Sequence, residues 1–314
     1  MQYRQEMIRR FWEYKQQFFG VRPDLFDADK PNENRPPVFL KSEAHHNVLV
    51  NPDASPQQAE TVFDAIPTRE RHRWFRSMSS SQALAQSVFG NLKAYGKLHL
   101  LHGLLCEDGL PAFDKWDPVS GTVTLEHKVG HLGEPRPTSI DVFFSSGYSI
   151  AVECKLTEQE VGSCSRPGLT EKDPNYNQEY CDGSYRIQHG RSERCPLTQI
   201  GVLYWHYIPN VFHWKSDADL SPCPLNKNYQ LVRNVLTVAP DGDPEKGHAI
   251  LLYDARNPAF QPGGDGLESF ETVSGALKDK RLLRKISWQI VVEHLRRAGL
   301  GKWLSEAIYA KYGF

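Results

Sequence analysis

The sequence predicts an α/β fold: a mixed central sheet of about four or more strands with helices on its faces. Three observations predict it. Residues 122–129 alternate as a strand, and residues 139–157 read as two apolar, β-branched-rich runs around Ser145-Ser146-Gly147, which is a hairpin pattern. A helical pattern over 226–238 follows, and then a buried-looking run over 247–254 (G-H-A-I-L-L-Y-D). Three consecutive strands can form a meander, and a fourth added after a crossover helix makes the sheet mixed.

Taken in order, residues 2–18 read as a helix with Met7, Phe11, Trp12 and Phe18 on a partly apolar stripe. Residues 20–40, rich in Pro, Asn and Asp, read as an extended loop. His45 and His46 are adjacent; on a strand they would face opposite ways, so they are set aside as structural. Ser55-Pro56 marks a helix start, with serine at the N-cap and proline at N1. Residues 68–105 form a helical block, one helix running from Ser80 to Gly90 and a second over 93–105. Residues 162–194 are a long polar stretch and read as an insertion. Residues 197–212 are at least partly helical, and Tyr204, Trp205 and Tyr207 read first as core. Three further helices are expected over 266–277, 282–298 and 302–312.

The 314 residues are 39% hydrophobic and 11% aromatic, enough for a sizeable core. No apolar run is long enough to span a membrane, and the charged N-terminus lacks a signal-peptide pattern, so a cytoplasmic protein is expected. The net charge of −1 neither announces nor excludes a nucleic-acid partner. The densest basic run, K-D-K-R-L-L-R-K at 278–285, reads as a solvated helix end. There are six cysteines, and without a secretion signal disulfides are not expected.

The hairpin carries the chemistry. Glu153 and Lys155 share one face of the second strand and Cys154 points to the other, into the core. Burying Ile140, Val142 and Phe144 together with Ile150, Val152 and Cys154 requires matched parity across the pair. The expected register sets Asp141 opposite Ala151 and diagonal to Glu153. Two converging carboxylates stay ionised together when a cation lies between them, and hard oxygen donors select Mg²⁺ or Mn²⁺. With a lysine alongside, these are the parts of metal-assisted phosphodiester hydrolysis. The same residues also suit an ordinary solvated strand face.

The order α-β-β-β-α-β, with Asp141 in the second strand and Glu153-Cys154-Lys155 in the third, resembles the PD-(D/E)xK nuclease superfamily. The chain is also similar to a bacterial group of restriction-endonuclease-like proteins. The similarity lies in S-S-Q-A-L at 80–84, S-I-D-V at 139–142, E-C-K at 153–155, Y-W-H-Y-I-P at 204–209 and Y-Q-L-V-R-N at 229–234. Ile140 stands where the superfamily's name places proline. The resemblance implies a restriction-endonuclease-like αβββαβ core over 68–314, with a cysteine-containing insertion at about 160–196 and residues 1–67 as an N-terminal extension packed on it. It implies a Mg²⁺- or Mn²⁺-dependent DNA endonuclease acting in restriction, defence or repair. Asp141, Glu153 and the Cys154 carbonyl would be metal ligands, Lys155 would position the attacking water, and Gln230 would join them from a helix. Arg233, three residues on, shares that helix face and could meet a phosphate. From the first core helix Gln82 is the substrate-binding candidate, with Gln86 or Glu126 as alternatives. A non-catalytic DNA-binding relative, an RNA nuclease and a homodimer all stay open. Cys164, Cys181, Cys195 and Cys223 could hold a structural Zn²⁺ or an iron–sulfur cluster, although no C-x-x-C pair is present.

Overall fold

The computed structural model of the protein describes residues 2–27, 34–300 and 302–314. Of the loop expected over 20–40, residues 28–33 lie outside this description. In chain order come α1 (Gln2–Phe19), α2 (Pro56–Phe63), α3 (Ser81–Ala85), α4 (Asn91–Ala94), β1 (Thr122–Lys128), β2 (Ser139–Ser145) and β3 (Ser149–Cys154). They are followed by α5 (Tyr176–Glu179), α6 (Pro196–Gln199), α7 (Tyr204–Val211), α8 (Leu225–Val238), β4 (Gly247–Tyr253), α9 (Asp265–Ala276), β5 (Leu283–Ser287), α10 (Trp288–Arg297) and α11 (Lys302–Tyr312).

The strands make one sheet in the order β1-β2-β3-β4-β5. β1–β2 and β2–β3 are antiparallel, while β3–β4 and β4–β5 are parallel. Antiparallel neighbours need only short connections; each parallel step needs a crossover, supplied by α5 to α8 and then by α9. Both faces are covered, which is why every residue of β4 is buried. Val142, Phe144, Ile150, Val152 and Cys154 pack on one face against α1, α3, α10 and α11. Ala151, Leu251 and Leu283 pack on the other against α7 and α8. Tyr204 and Trp205 lie in this second core, Trp205 stacking on Tyr185 at 3.5 Å.

Local chemistry sets the element ends. Ser55 and Gln58 close a capping box on α2, with Pro56 in the first turn. Ser80 caps α3 through the Ala83 amide. Gly90 does not end that helix: a π turn over Gln86–Gly90 carries α3 into α4. No helix runs over 93–105; Gly96 and Gly103 take positive φ there, with a 3₁₀ turn at Leu98–Leu101 between them. The expected helix over 282–298 is β5 followed by α10, with Ser287 as the cap. The run at 278–285 is therefore no solvated helix end: Arg284 is buried on the Pro111 carbonyl, and Lys285 pairs with Glu107.

The hairpin keeps the expected parity but not the expected register. Ser145 pairs with Ser149, so the loop is Ser146-Gly147-Tyr148, one residue later than read from sequence. Gly147 supplies the turn's positive φ of 86°. Tyr148 is drawn inward, its hydroxyl donating to His248 Nδ1 at 2.9 Å. Phe143, not Asp141, stands opposite Ala151, and the pairing Val142↔Val152 puts Asp141 directly across from Glu153. Ile140 packs in the second core rather than with Val142.

Candidate active site

β2 and β3 end side by side, and this brings the acids together. The Cys154 amide donates to Asp141 Oδ2 at 2.6 Å, tying the main chain of the E-C-K run to the facing acid. Cys154 itself is buried in the first core, as its alternation with Glu153 and Lys155 requires. Lys155 leaves the strand through a bond from its amide to the Leu252 carbonyl at 2.7 Å, and its own carbonyl accepts from Trp288 Nε1 at 3.1 Å.

The Lys155 side chain is fixed by two acceptors. Its Nζ lies 2.8 Å from Glu153 Oε1 and donates at 2.8 Å to Gln230 Oε1. Glu153 Oε2 accepts from Asn234 Nδ2 at 2.9 Å and from Arg233 Nη2 at 3.4 Å. Arg233 lines the cleft, but its guanidinium is buried and also donates to Asn234 Oδ1 at 2.9 Å. Gln230, Arg233 and Asn234 lie on successive turns of one face of α8. Gln82, Glu126, Asp141, Glu153, Cys154, Lys155, Gln230 and Arg233 all border one cleft of about 950 Å³.

The two alternatives to Gln82 separate. Gln86 is buried on the Val62 and Phe63 carbonyls, away from the cleft. Glu126 borders the cleft, accepts from Ser139 Oγ and Gln82, and has a φ of 53°, a left-handed conformation uncommon for a non-glycine residue. It occupies the β1 position across from Asp141, between the pairs Leu125↔Val142 and His127↔Ile140.

Their surroundings shift the three acids in opposite directions, Glu153 down and Asp141 and Glu126 up. Burial alone would raise the Glu153 pKa, but Lys155 and Arg233, with the bonds from Lys155 and Asn234, hold it below the ordinary value. Asp141 goes the other way: burial first, then the charges of Glu153 and Glu126, push it well above the usual carboxylate range. Burial also raises Glu126, opposed by the Ser139 and Gln82 bonds. Burial works against the Lys155 ammonium, but Glu153, Glu158 and Asp141 outweigh it and raise the pKa.

Sequence reasoning missed three participants. Asn234 shares a helix face with Gln230 at i, i+4, and that spacing was the available signal. Glu158 accepts from the Leu156 amide and Ser81 Oγ, each at 2.6 Å, tying the segment after Lys155 to the start of α3. Gly162 lies so close to Gln230 that a Cβ there would sit 1.9 Å from Gln230 Oε1. The roles of Glu158 and Gly162 depend on contacts between distant segments, which leave no periodic trace.

The histidine pair lies on a single 3₁₀ turn, not a strand, so alternation does not separate it. Glu43, His45 and His46 bring three potential ligand atoms within 4.8 Å of one another, and none of them borders the cleft. The four outlying cysteines border a separate, small cavity. Among the described residues, no helix is long and apolar enough to cross a membrane.

No curated protein and no solved structure matches the chain. The family model described as restriction endonuclease associating with ARP matches residues 14–313. With its five-stranded mixed sheet flanked by helices and its hairpin of acids, the chain belongs to that restriction-endonuclease-like family.

Proposed function

We propose that the protein is a Mg²⁺- or Mn²⁺-dependent endonuclease that hydrolyses phosphodiester bonds in DNA. The observation that carries this reading is the convergence of Asp141, Glu153, Lys155 and Gln230 in one cleft. The donor set fits a hard divalent ion: two carboxylates on facing strands, one of them with its pKa raised by burial and like charge, a repulsion that a cation relieves. Asp141, Glu153 and the Cys154 carbonyl would hold it. When bound, such an ion polarises a phosphoryl oxygen and lowers the pKa of a bound water.

The chain's own groups do the remaining work. Lys155 is an ammonium gripped by a carboxylate and an amide, so it donates and does not accept. Two of its three N–H bonds are used, and the third is available to a water or to a phosphate oxygen. Arg233 and Asn234 hold Glu153 from behind, and Gln230 fixes the direction of Lys155. The cleft wall carries Arg35, together with Arg76 and Lys128, which pair with Asp27 and Glu70, and Trp74 is about half exposed beside them. These groups suit phosphates and an unstacked base.

The test is cleavage of supercoiled plasmid with Mg²⁺ or Mn²⁺ by wild type, Lys155→Ala and Asp141→Asn, with EDTA as control. Nicking or linearisation by wild type, lost in both folded variants and in EDTA, is the expected result. Variants that cut as well as wild type would refute the assignment. An RNA substrate run in parallel separates the two nucleic acids.

A further inference from the structure

Four cysteines remain outside the active cleft. Cys164, Cys181, Cys195 and Cys223 are scattered through the connection between β3 and the start of α8, yet all four border one cavity of about 20 Å³. That volume is the size of a single water or ion.

The second observation is the state of the thiols. None of the four is in a disulfide; Cys181, Cys195 and Cys223 are buried and Cys164 is half-buried, although they come from segments far apart in the sequence. Cys181 Sγ accepts the Gly183 amide at 3.3 Å and donates to the Ser184 carbonyl at 3.4 Å. A main-chain donor aimed at a sulfur is a contact that offsets the charge of a metal-bound thiolate.

The third observation is what the connection lacks. Between β3 and α7 there are only the short helices α5 and α6, and most residues over 165–194 are at least partly exposed. Such a stretch has little apolar surface to order it.

We propose that Cys164, Cys181, Cys195 and Cys223 form a tetrathiolate site for a structural zinc ion. Four soft sulfur donors select tetrahedral zinc over the hard cations suited to the active cleft. Among the described residues, only Glu43, His45 and His46 bring three ligand atoms within 4.8 Å. The four sulfurs therefore stand wider than a shell with Zn–S of about 2.3 Å, and binding draws them inward on the cavity.

The site is coupled to the active cleft through its frame. The Cys164 amide donates to the Asn226 carbonyl at 2.8 Å, and the Cys223 amide to the Gly183 carbonyl at 2.8 Å. Both contacts lie at the start of α8, the helix that carries Gln230, Arg233 and Asn234. Zinc here clamps the positioning helix and takes no part in the reaction.

The deciding measurement is the metal content of the purified, folded wild-type chain by plasma mass spectrometry, with no DNA present. About one zinc per chain is expected. Cys195→Ser and Cys223→Ser lower that content at least tenfold, whereas Cys106→Ala, which changes a cysteine buried in the sheet core, leaves it unchanged. Replacement by Co²⁺ gives the visible absorption of tetrahedral thiolate coordination. A folded wild type without zinc, one holding iron, or a mass showing two disulfides among these four residues would each overturn the proposal. None of these readings depends on whether the cleft cuts DNA.

Discussion

Asp141 and Glu153 are chemically alike and lie in unlike surroundings. Glu153 is met by Lys155, Arg233 and Asn234, whereas Asp141 receives a single amide and faces two further acids. Asp141→Asn keeps the bond from the Cys154 amide and removes the repulsion. Its unfolding midpoint in metal-free buffer should match or exceed wild type, by on the order of 1 kcal/mol, while cleavage is lost. Urea titration beside a plasmid assay checks both halves, and a strongly destabilised variant would mean that Asp141 serves the fold. Gly162→Ala works through position instead: φ is +108° and the new Cβ would collide with Gln230 Oε1. We expect a loss of about 1–3 kcal/mol of stability and a fall in kcat larger than any change in KM, because Lys155 loses its aim while the cleft wall stays intact. Asp141, Glu153 and Lys155 were legible because strand alternation places side chains by parity alone. Arg233 was legible as a neighbour of Gln230 but not as a partner of Glu153, since the pairing depends on where α8 lands on the sheet.

At the scale of the elements, β4 shows how burial fixes protonation. His248 lies in this fully buried strand, with Nδ1 facing the Tyr148 hydroxyl at 2.9 Å and Nε2 facing the Ala112 carbonyl at 3.1 Å. A neutral ring satisfies both by accepting at Nδ1 and donating at Nε2. Burial, then the nearby Arg284 charge, pushes its pKa well below the ordinary 6.5. Below about pH 6.5 the unfolded chain binds a proton that the folded chain refuses, so stability falls as the solution is acidified and is retained above that value. The urea midpoint should drop between pH 7.5 and pH 5, and His248→Gln, which can make both bonds without titrating, should show a smaller drop. An equal drop in the variant would place the acid sensitivity elsewhere. β4 was readable from its apolar run. β5 was not, because L-R-K-I-S is short and carries two cations, and only the structure supplies Pro111 and Glu107 to satisfy them.

The whole molecule is a sheet between two helical layers, and the N-terminal helix belongs to one of them. Met7, Ile8 and Phe11 of α1 are buried, and the Tyr3 hydroxyl reaches the Leu156 carbonyl at 3.0 Å and Asp254 at 2.9 Å, next to the hairpin of acids. Burying each large apolar side chain contributes about 1.5–3 kcal/mol, and the net stability of a domain is only about 5–15 kcal/mol. Removal of residues 1–19 should therefore give a chain that aggregates or loses cooperative unfolding, rather than a trimmed, folded one. Circular dichroism melts of the truncated chain check this, and a sharp transition near the wild-type temperature would make α1 dispensable. The sequence indicated a helix here but not its destination, because a partly apolar stripe does not say which surface covers it.

The bond from Trp288 to the Lys155 carbonyl has a consequence in time. During synthesis the acids of the hairpin leave the ribosome first, then the helix carrying Gln230, and only later β5 and Trp288. Until β4 and β5 are added, β3 is an open edge, with no Leu252 carbonyl for the Lys155 amide and no indole for its carbonyl. The growing polypeptide thus carries its hairpin acids and Lys155 long before it can hold them in place. A cell making this protein meets the finished cleft only once β5 and Trp288 have emerged.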